Sequence, residues 1–127
     1  MAVAPIRRDE QSAEFFDAAA QGVLLLRWSA ESGEYLPPAA VIDPAAPLSP
    51  PAWKPASGLA EVVTWTVLPG QSAPDTVVAV VELEEGPWIT VQVQDIDAAG
   101  LRAGHPVRIG FETPEGGEAV PIALPRT

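Results

Sequence analysis

The sequence has no cysteine, a single histidine and only seven basic residues. Without cysteine the chain forms no disulfide, provides no thiol nucleophile and offers no thiolate to a metal ion. The seven basic residues stand against seventeen acidic ones, which gives a net charge of −10. A chain of this charge repels the phosphates of nucleic acids and an anionic membrane surface. We therefore expect neither a nucleic acid nor a membrane among its partners.

Long apolar runs are also missing. No run approaches 18 apolar residues, and the stretch "MAVAPIRRDEQ" lacks the apolar core of a signal peptide. We therefore expect a cytoplasmic protein. With 127 residues, 47% of them hydrophobic, the chain is long enough to build one domain around its own core.

The usual catalytic motifs do not occur either. There is no G-x-S-x-G, no P-loop and no H-x-x-x-H pattern. His105 precedes a proline where a strand begins, and we interpret it as an exposed turn residue. Carboxylates cluster at a predicted turn and after the next strand (Glu82, Glu84, Glu85, Asp95 and Asp97). Solvated turn charges explain them best, with a general acid/base pair as the alternative, so we predict no catalytic residue.

The first half of the chain predicts a helix, a strand and an unusual connection. Residues 12–21 are typical of a short helix that Ser12 caps and Gly22 ends. Residues 23–28 predict a strand. Residues 27–55 then hold seven prolines between positions 36 and 55. A connection this long is uncommon inside a compact domain unless it is functional, disordered or the remnant of another structure.

The second half predicts five short strands. Residues 61–68 alternate, with Val63, Trp65 and Val67 on one face, which places Trp65 in the core. Residues 76–83 are almost continuously β-branched and predict a strand buried on both faces. Residues 88–94, 105–111 and 119–124 alternate as half-buried strands, and residues 95–104 predict one helical turn. Five strands with an insertion after the third are typical of an OB-like barrel.

Four tryptophans stand out in so small a chain: Trp28, Trp53, Trp65 and Trp88. Tryptophan is enriched at interfaces because it joins a large apolar area to one polar group. Trp88 shares the outward face of its strand with Thr90 and Gln92. For Trp88 and Trp53, burial in the core and exposure at an interface remain equally open.

Several motifs in order resemble one known family. They are "EFFDAAAQGVLLLRW", "YLPPAAV", "WKPASGLAEVVTWTV", "VVAVVELEEGPWITVQV" and "LRAGHPVRIGFE". Together they resemble the OB-fold, acyl-CoA-associated family catalogued as domain of unknown function thirty-five. The resemblance implies a mainly β protein: a five-stranded OB-fold barrel preceded by a short N-terminal helix and a degenerate, rubredoxin-like zinc ribbon. It divides the chain into a tail and helix (residues 1–22), a ribbon-like segment (residues 23–58) and the barrel (residues 59–127), forming one compact unit.

The family's zinc ribbon usually offers two C-x-x-C pairs around the "PP". Aligned on Pro37 and Pro38, these pairs fall on four residues without a thiolate: Trp28, Glu31, Ile42 and Ala45. Zinc needs about four N, S or O donors, so we expect no zinc and no other directly bound cofactor. We expect Trp28, Tyr35 and Ile42 to order the segment by local packing that a partner surface completes.

For function, the resemblance implies a partner rather than an autonomous enzyme. It suggests a non-catalytic accessory subunit of a thiolase-like enzyme that acts on acyl-CoA by acyl transfer, condensation or retro-aldol cleavage. Steroid side-chain degradation is one branch of the family, and hotdog-fold hydratases are further partners. A hetero-oligomer is expected, with acyl-CoA reached through the partner. The candidate binding residues, for partner or acyl-CoA, are Phe15, Phe16, Trp28, Tyr35, Trp53 and Trp88.

Two alternatives belong to other classes. The first is a free-standing acyl-CoA-binding protein, in which Phe15 and Phe16 leave an apolar slot against the barrel. The second is an OB-fold protein that binds single-stranded nucleic acid by stacking. The charge balance disfavours the second.

Overall fold

A computed structural model of the chain describes residues 7–126. Within this range the chain forms a helix α1 (Ala13–Ala19), a three-stranded sheet and a five-stranded closed barrel. The sheet contains β1 (Leu25–Ser29), β2 (Glu34–Leu36) and β3 (Ala52–Pro55). The barrel contains β4 (Leu59–Leu68), β5 (Thr76–Leu83), β6 (Trp88–Val93), β7 (Pro106–Glu112) and β8 (Val120–Pro125). Residues 1–6 of the predicted tail and residue 127 lie outside the described residues.

Helix α1 ends as its sequence predicts but begins differently. Gly22 adopts a positive φ of 80°, and the amides of Gly22 and Val23 donate to the carbonyls of Ala19 and Ala18. This pattern is a Schellman motif, which favours glycine. Ser12 makes no side-chain capping bond, contrary to prediction, because its hydroxyl is engaged with Asp9. No helix within residues 7–126 is long and apolar enough to span a membrane.

The segment predicted as a degenerate ribbon contains the three-stranded sheet. Strand β1 is central and pairs antiparallel with β2 on one side and β3 on the other. Neither β2 nor β3 was predicted as a strand, since each is short and the prolines around them break the apolar pattern. The proline-rich connection between β2 and β3 folds back so that both ends lie beside β1.

The barrel strands follow the order β4-β5-β6-β8-β7, and β7 pairs back to β4. Every pair is antiparallel except β6 with β8. A closed five-stranded barrel with this exchange of the last two strands is an OB fold. The predicted helical turn is a 3-10 turn at Ala98–Gly100, where the Asp97 carboxylate accepts from the Ala99 amide at 3.0 Å. The predicted fold class, mainly β with an OB barrel after a short helix, is confirmed.

The prediction that Trp65 belongs to the core is wrong. A β-bulge interrupts the pairing of β4 with β5 between Val62 and Thr64, so the simple alternation does not continue along β4. Before the bulge, Ala60 and Val62 are buried. After it, the hairpin of β4 and β5 extends past the barrel, and Trp65 remains 36% exposed. The bulge moves the inward phase from Val62 to Trp65, which lies opposite the buried Ala79, so Trp65 is exposed because the hairpin is long and not because its phase is wrong.

Strand β5 is likewise less enclosed than predicted. Its inward residues Ala79, Val81 and Leu83 are buried, whereas Val78 and Val80 on the other face are only half-buried and Glu82 is exposed. A run of β-branched residues favours a strand whether one face or both are covered. In this protein the barrel covers one face.

One hydrophobic core joins the three parts. It includes Phe15 and Phe16 from α1, Leu26 from β1, and barrel residues such as Val81 and Val107. Leu26, Val81 and Val107 are fully buried. At the surface, Arg8 forms ion pairs with Asp17 of the helix and Glu118 of the barrel. The helix and sheet therefore pack on the barrel through shared apolar contacts.

Candidate functional site

The three-stranded sheet places aromatic and basic side chains opposite one another. Arg27 of β1 lies opposite Trp53 of β3, and Trp28 of β1 lies opposite Tyr35 of β2. Residues directly opposite in an antiparallel pair point to the same face, and successive residues of a strand point to opposite faces. The sheet therefore carries one aromatic and basic group on each face.

On the first face, the guanidinium of Arg27 lies over the ring of Trp53, with Cζ 3.5 Å from the ring centroid. Arg27 also donates to the carbonyls of Pro38 at 3.4 Å and Gln11 at 3.3 Å. Burial lowers the pKa of the Arg27 guanidinium from its ordinary value, and the nearby charge of Glu14 opposes this shift. Arg27 thereby links α1, the sheet and the proline-rich segment.

Next to Arg27 lies an apolar groove, which we call the helix-side groove, of about 290 Å³. Its apolar wall includes Phe15, Phe16 and Trp53, and the charged residues that line it within the described part of the chain are Arg27 and Asp9. The Phe15 ring meets that of Phe16 edge-on at 5.2 Å and that of Trp53 at 6.2 Å between centroids. Three of the predicted site residues thus meet at one place, although both phenylalanines are mostly buried.

On the second face, Trp28 and Tyr35 meet edge-on with centroids 4.8 Å apart. The ammonium of Lys54 lies 4.1 Å from the Trp28 centroid and 5.4 Å from the Tyr35 centroid. A cavity of about 500 Å³ opens here, between the sheet and the turn that joins β5 to β6. We call it the turn-side cavity; its lining residues are Trp28, Gly33, Glu34, Tyr35, Glu85 and Gly86.

Trp88 lies outside both of these sites. It is 55% exposed on the outward face of β6, and its indole Nε1 donates to Glu82 Oε2 at 2.9 Å. The six predicted site residues therefore divide into a group of three, a pair and one separate tryptophan. The sequence analysis missed the two basic residues, Arg27 and Lys54. Each contacts an aromatic ring on another strand, and only the register of the paired strands brings the two side chains together.

Of the three residues predicted to order the proline-rich segment, Trp28 and Tyr35 pack together and Ile42 does not. Of the aligned ligand positions, Trp28 is half-buried, whereas Glu31, Ile42 and Ala45 are exposed. The residues one position later point inward: Ser29, Asp43 and Ala46 are buried and Ser32 is half-buried. The expectation that Ile42 packs inside is wrong, since Ile42 is 56% exposed.

A carboxylate occupies the centre of this segment. Asp43 Oδ2 accepts from the Ser32 hydroxyl at 2.7 Å, and Oδ1 accepts from the Ala45 amide at 3.0 Å. Hydrogen bonds from the Ser29 and Ser32 hydroxyls, and then from the Ala45 amide, hold the pKa of Asp43 below its usual value. We call Ser29, Ser32 and Asp43 the polar latch. It joins the end of β1 to the proline-rich chain, as the metal does in a zinc ribbon.

These donors do not fit zinc. Structural zinc sites are built from thiolates and imidazoles, whereas the inward positions supply two hydroxyls, one carboxylate and a methyl group. No group of three His, Cys, Asp or Glu side chains among residues 7–126 is arranged to hold a metal ion. The signal available in the sequence was the spacing Ser29-x-x-Ser32, which repeats the interval of a ligand pair.

Three of the five carboxylates considered for acid/base chemistry have structural roles, and Glu82 and Glu84 line one cavity. Glu85 Oε2 accepts from the Ser57 amide at 2.7 Å, Glu82 binds Trp88, and Asp97 caps the 3-10 turn. His105 is half-buried rather than exposed, with Arg102 Nη1 at 3.0 Å from its Nδ1. None of these contacts pairs two carboxylates at one site.

Residues 53–112 match the family model described as ChsH2, C-terminal OB-fold domain. The solved structure described as Ltp2-ChsH2(DUF35) aldolase is 24% identical, with a TM-score of 0.80 over 97% of this chain and 98% of that chain. A DUF35-family protein of unknown function from Sulfolobus solfataricus is 10% identical, with a TM-score of 0.65 over 92% of this chain and 86% of its own. No curated protein matches the sequence.

The two solved structures show a shared fold at these identities, and the family model adds a match in sequence across β3 to β7. The strand order β4-β5-β6-β8-β7 is that of an OB barrel. The chain therefore has the fold of these DUF35 structures, and its residues 53–112 match the C-terminal OB-fold domain of the ChsH2 family model.

Proposed function

We propose that this protein is a non-catalytic accessory subunit of a thiolase-like enzyme that acts on acyl-CoA. The observation that carries this proposal is the likeness over 97% of the chain to the structure described as Ltp2-ChsH2(DUF35) aldolase. The likeness covers the helix, the sheet and the barrel together, so the whole chain has the shape of one subunit of such an assembly.

The surface and the chemistry of the chain support the same role. Among residues 7–126, Glu82, Glu85 and Asp97 are engaged in structural contacts, and Glu82 lines one cavity together with Glu61 and Glu84. Several large apolar side chains are exposed instead, including Trp88 at 55% and Leu68 at 51%. Exposed aromatic and aliphatic groups are typical of surfaces that bind another protein.

The chemistry would then belong to the partner. It performs acyl transfer, condensation or retro-aldol cleavage on a CoA thioester, and this chain completes or stabilises its active complex. Retro-aldol cleavage in steroid side-chain degradation is the reaction we propose first, because the neighbour that matches 97% of this chain is described as an aldolase. We propose a cytoplasmic hetero-oligomer, in which a hotdog-fold hydratase is a further partner.

Co-expression tests this proposal. A thiolase-like protein from the same genome is purified with and without the chain, and cleavage of an aldol CoA thioester is measured. We expect co-elution in size-exclusion chromatography and at least a roughly tenfold higher rate with the chain present, a difference in barrier of about 1.4 kcal/mol. A partner that is folded and fully active alone, and elutes separately, contradicts the proposal.

A second function is favoured by the helix-side groove. Its apolar wall of Phe15, Phe16 and Trp53 beside the cation of Arg27 suits an acyl chain with a nearby anionic group. In this alternative the isolated chain binds acyl-CoA. Calorimetry with medium-chain acyl-CoAs distinguishes it: heat at micromolar ligand that Trp53→Leu abolishes supports free-standing binding, and the absence of heat excludes it.

We also propose that the protein uses no zinc and that the polar latch takes its place. The support is the donor chemistry of Ser29, Ser32 and Asp43, which lacks thiolate and imidazole. Metal analysis of the protein, purified without chelator and grown with added zinc, should find much less than one zinc per chain. One equivalent of zinc that survives dialysis would overturn this proposal.

A further inference from the structure

We propose that the turn-side cavity receives an arginine side chain of the partner protein. This inference rests on the proposed function and specifies its contact surface. It places the docking contact where the sheet meets the turn between β5 and β6.

The shape and chemistry of the cavity suit a guanidinium. Trp28 and Tyr35 supply aromatic surface, and Glu34 and Glu85 supply carboxylates, around a space of about 500 Å³. Lys54 lies over the same two rings, but no basic residue among the described ones lines the cavity itself. A planar guanidinium stacks on aromatic rings and donates in parallel to a carboxylate, which a compact ammonium does less well.

The negative charge at this cavity is not neutralised within the described chain. Neither Glu34 nor Glu85 forms an ion pair among residues 7–126. Glu85 uses Oε2 to accept from the Ser57 amide, while its Oε1 is buried with no hydrogen-bond partner. A carboxylate held in this way is costly without a nearby positive charge. A small movement of the Glu85 side chain on docking would bring Oε1 to the guanidinium of the partner's arginine.

The rings of this sheet already hold cations. Lys54 lies over Trp28 and Tyr35, and Arg27 lies 3.5 Å from the centroid of Trp53. The stacking of a guanidinium on an indole is therefore observed in the same sheet. The net charge of −10 also favours a partner surface that carries basic residues.

A probe experiment tests the cavity without any partner. N-acetyl-arginine methylamide is titrated into the protein while the Trp28 indole N–H resonance, assigned with Trp28→Phe, is followed by NMR. We expect saturable shifts with a dissociation constant on the order of 1 mM, the range for a single side chain. The uncharged analogue N-acetyl-citrulline methylamide should bind at least about fivefold more weakly.

Two variants that each remove one carboxylate charge show whether the probe binds in the cavity. Glu85→Gln keeps an acceptor for the Ser57 amide but removes the charge, and should weaken arginine binding about fivefold. Glu115→Gln makes the same change on an exposed residue of another turn and should leave binding unchanged. The proposal is overturned if N-acetyl-citrulline methylamide or N-acetyl-lysine methylamide binds with the same dissociation constant as the arginine probe. It is also overturned if Glu85→Gln binds the arginine probe as tightly as the wild type does.

The complex provides the second readout. If the thiolase-like partner co-elutes with the wild type, Glu85→Gln should reduce co-elution and Glu115→Gln should not. If Glu85→Gln co-elutes with the partner as the wild type does, the cavity is not a docking contact, while the proposed subunit role is unaffected. A chain that binds the arginine probe but no partner overturns the subunit role alone.

Discussion

Asp43→Ala is expected to open the proline-rich segment while the barrel stays folded. Removing the carboxylate leaves the hydroxyl of Ser29, which is only 2% exposed, without its acceptor and cuts the link from Ser32 to the chain beyond. A buried hydroxyl without a partner favours states in which the segment separates from β1. Thermolysin cuts before apolar residues, and Ile42 and Leu48 are exposed within this segment. We expect cleavage there to be at least about tenfold faster than in the wild type.

The same contact gives the segment a pH dependence. Hydrogen bonds lower the folded-state pKa of Asp43 below the value of about 3.9 typical of an unfolded chain. Its stabilising contribution is therefore fully present above that unfolded pKa and is lost as the pH falls through the folded pKa. The wild-type segment should lose protection only below about pH 4. Asp43→Asn should lack this acid transition, as followed by hydrogen exchange of the Ala45 amide.

The control for Asp43→Ala is Glu115→Ala, which removes an exposed carboxylate far along the chain from the latch. It should not change the rate of cleavage in residues 30–50. If Asp43→Ala resists thermolysin as the wild type does, the polar latch does not order the segment. The prolines and the Trp28–Tyr35 contact would then be sufficient.

Leu26→Ala is expected to destabilise the whole molecule, by about 3 kcal/mol of unfolding free energy. Leu26 is 0% exposed and belongs to the core that joins α1, the sheet and the barrel. Its removal leaves a cavity at the point where the three parts meet. The matched control is Leu48→Ala, because Leu48 is 95% exposed and loses the same atoms without leaving a cavity.

Urea unfolding provides the measurement, with two signals. Circular dichroism reports mostly the barrel strands. Tryptophan fluorescence reports the sheet when it is measured in a Trp65→Phe, Trp88→Phe background, which leaves Trp28 and Trp53. If the shared core makes the chain one cooperative unit, both signals change together in the wild type and in Leu26→Ala. Two separate transitions, or a loss of less than about 1 kcal/mol, would show that the ribbon-like segment and the barrel are independent.

The sequence was sufficient to predict the end of a helix and the inward face of a regular strand, because residues close together in the chain determine both. Gly22 ends the helix because a left-handed residue is needed there, and Ile89, Val91 and Val93 alternate inward because β6 is straight and regular. The order of these strands, with an insertion after the third, was enough to indicate an OB barrel. The motifs that resemble DUF35 pointed to the same fold.

Where the backbone is irregular, the residues predicted to point inward were wrong by one position. On β4 the inward residue before the bulge is Val62 and not Val63, the residue predicted to face the core. In the proline-rich segment the inward positions are Ser29, Ser32, Asp43 and Ala46, one residue after those predicted. In both places an irregular backbone decides which side chain points inward, and period-based reasoning assumes a regular one.

The sequence by itself determined the class of fold, the absence of thiolate ligands and the acidic charge, since composition and local periodicity express these directly. Only the tertiary structure decided which side chains hold the proline-rich segment and where the aromatic residues gather. Asp43 and Ser29 are fourteen positions apart, and Arg27 meets Trp53 only through the register of β1 with β3. Such contacts arise because strand pairing and burial bring distant residues together, and no local pattern in the chain contains that information.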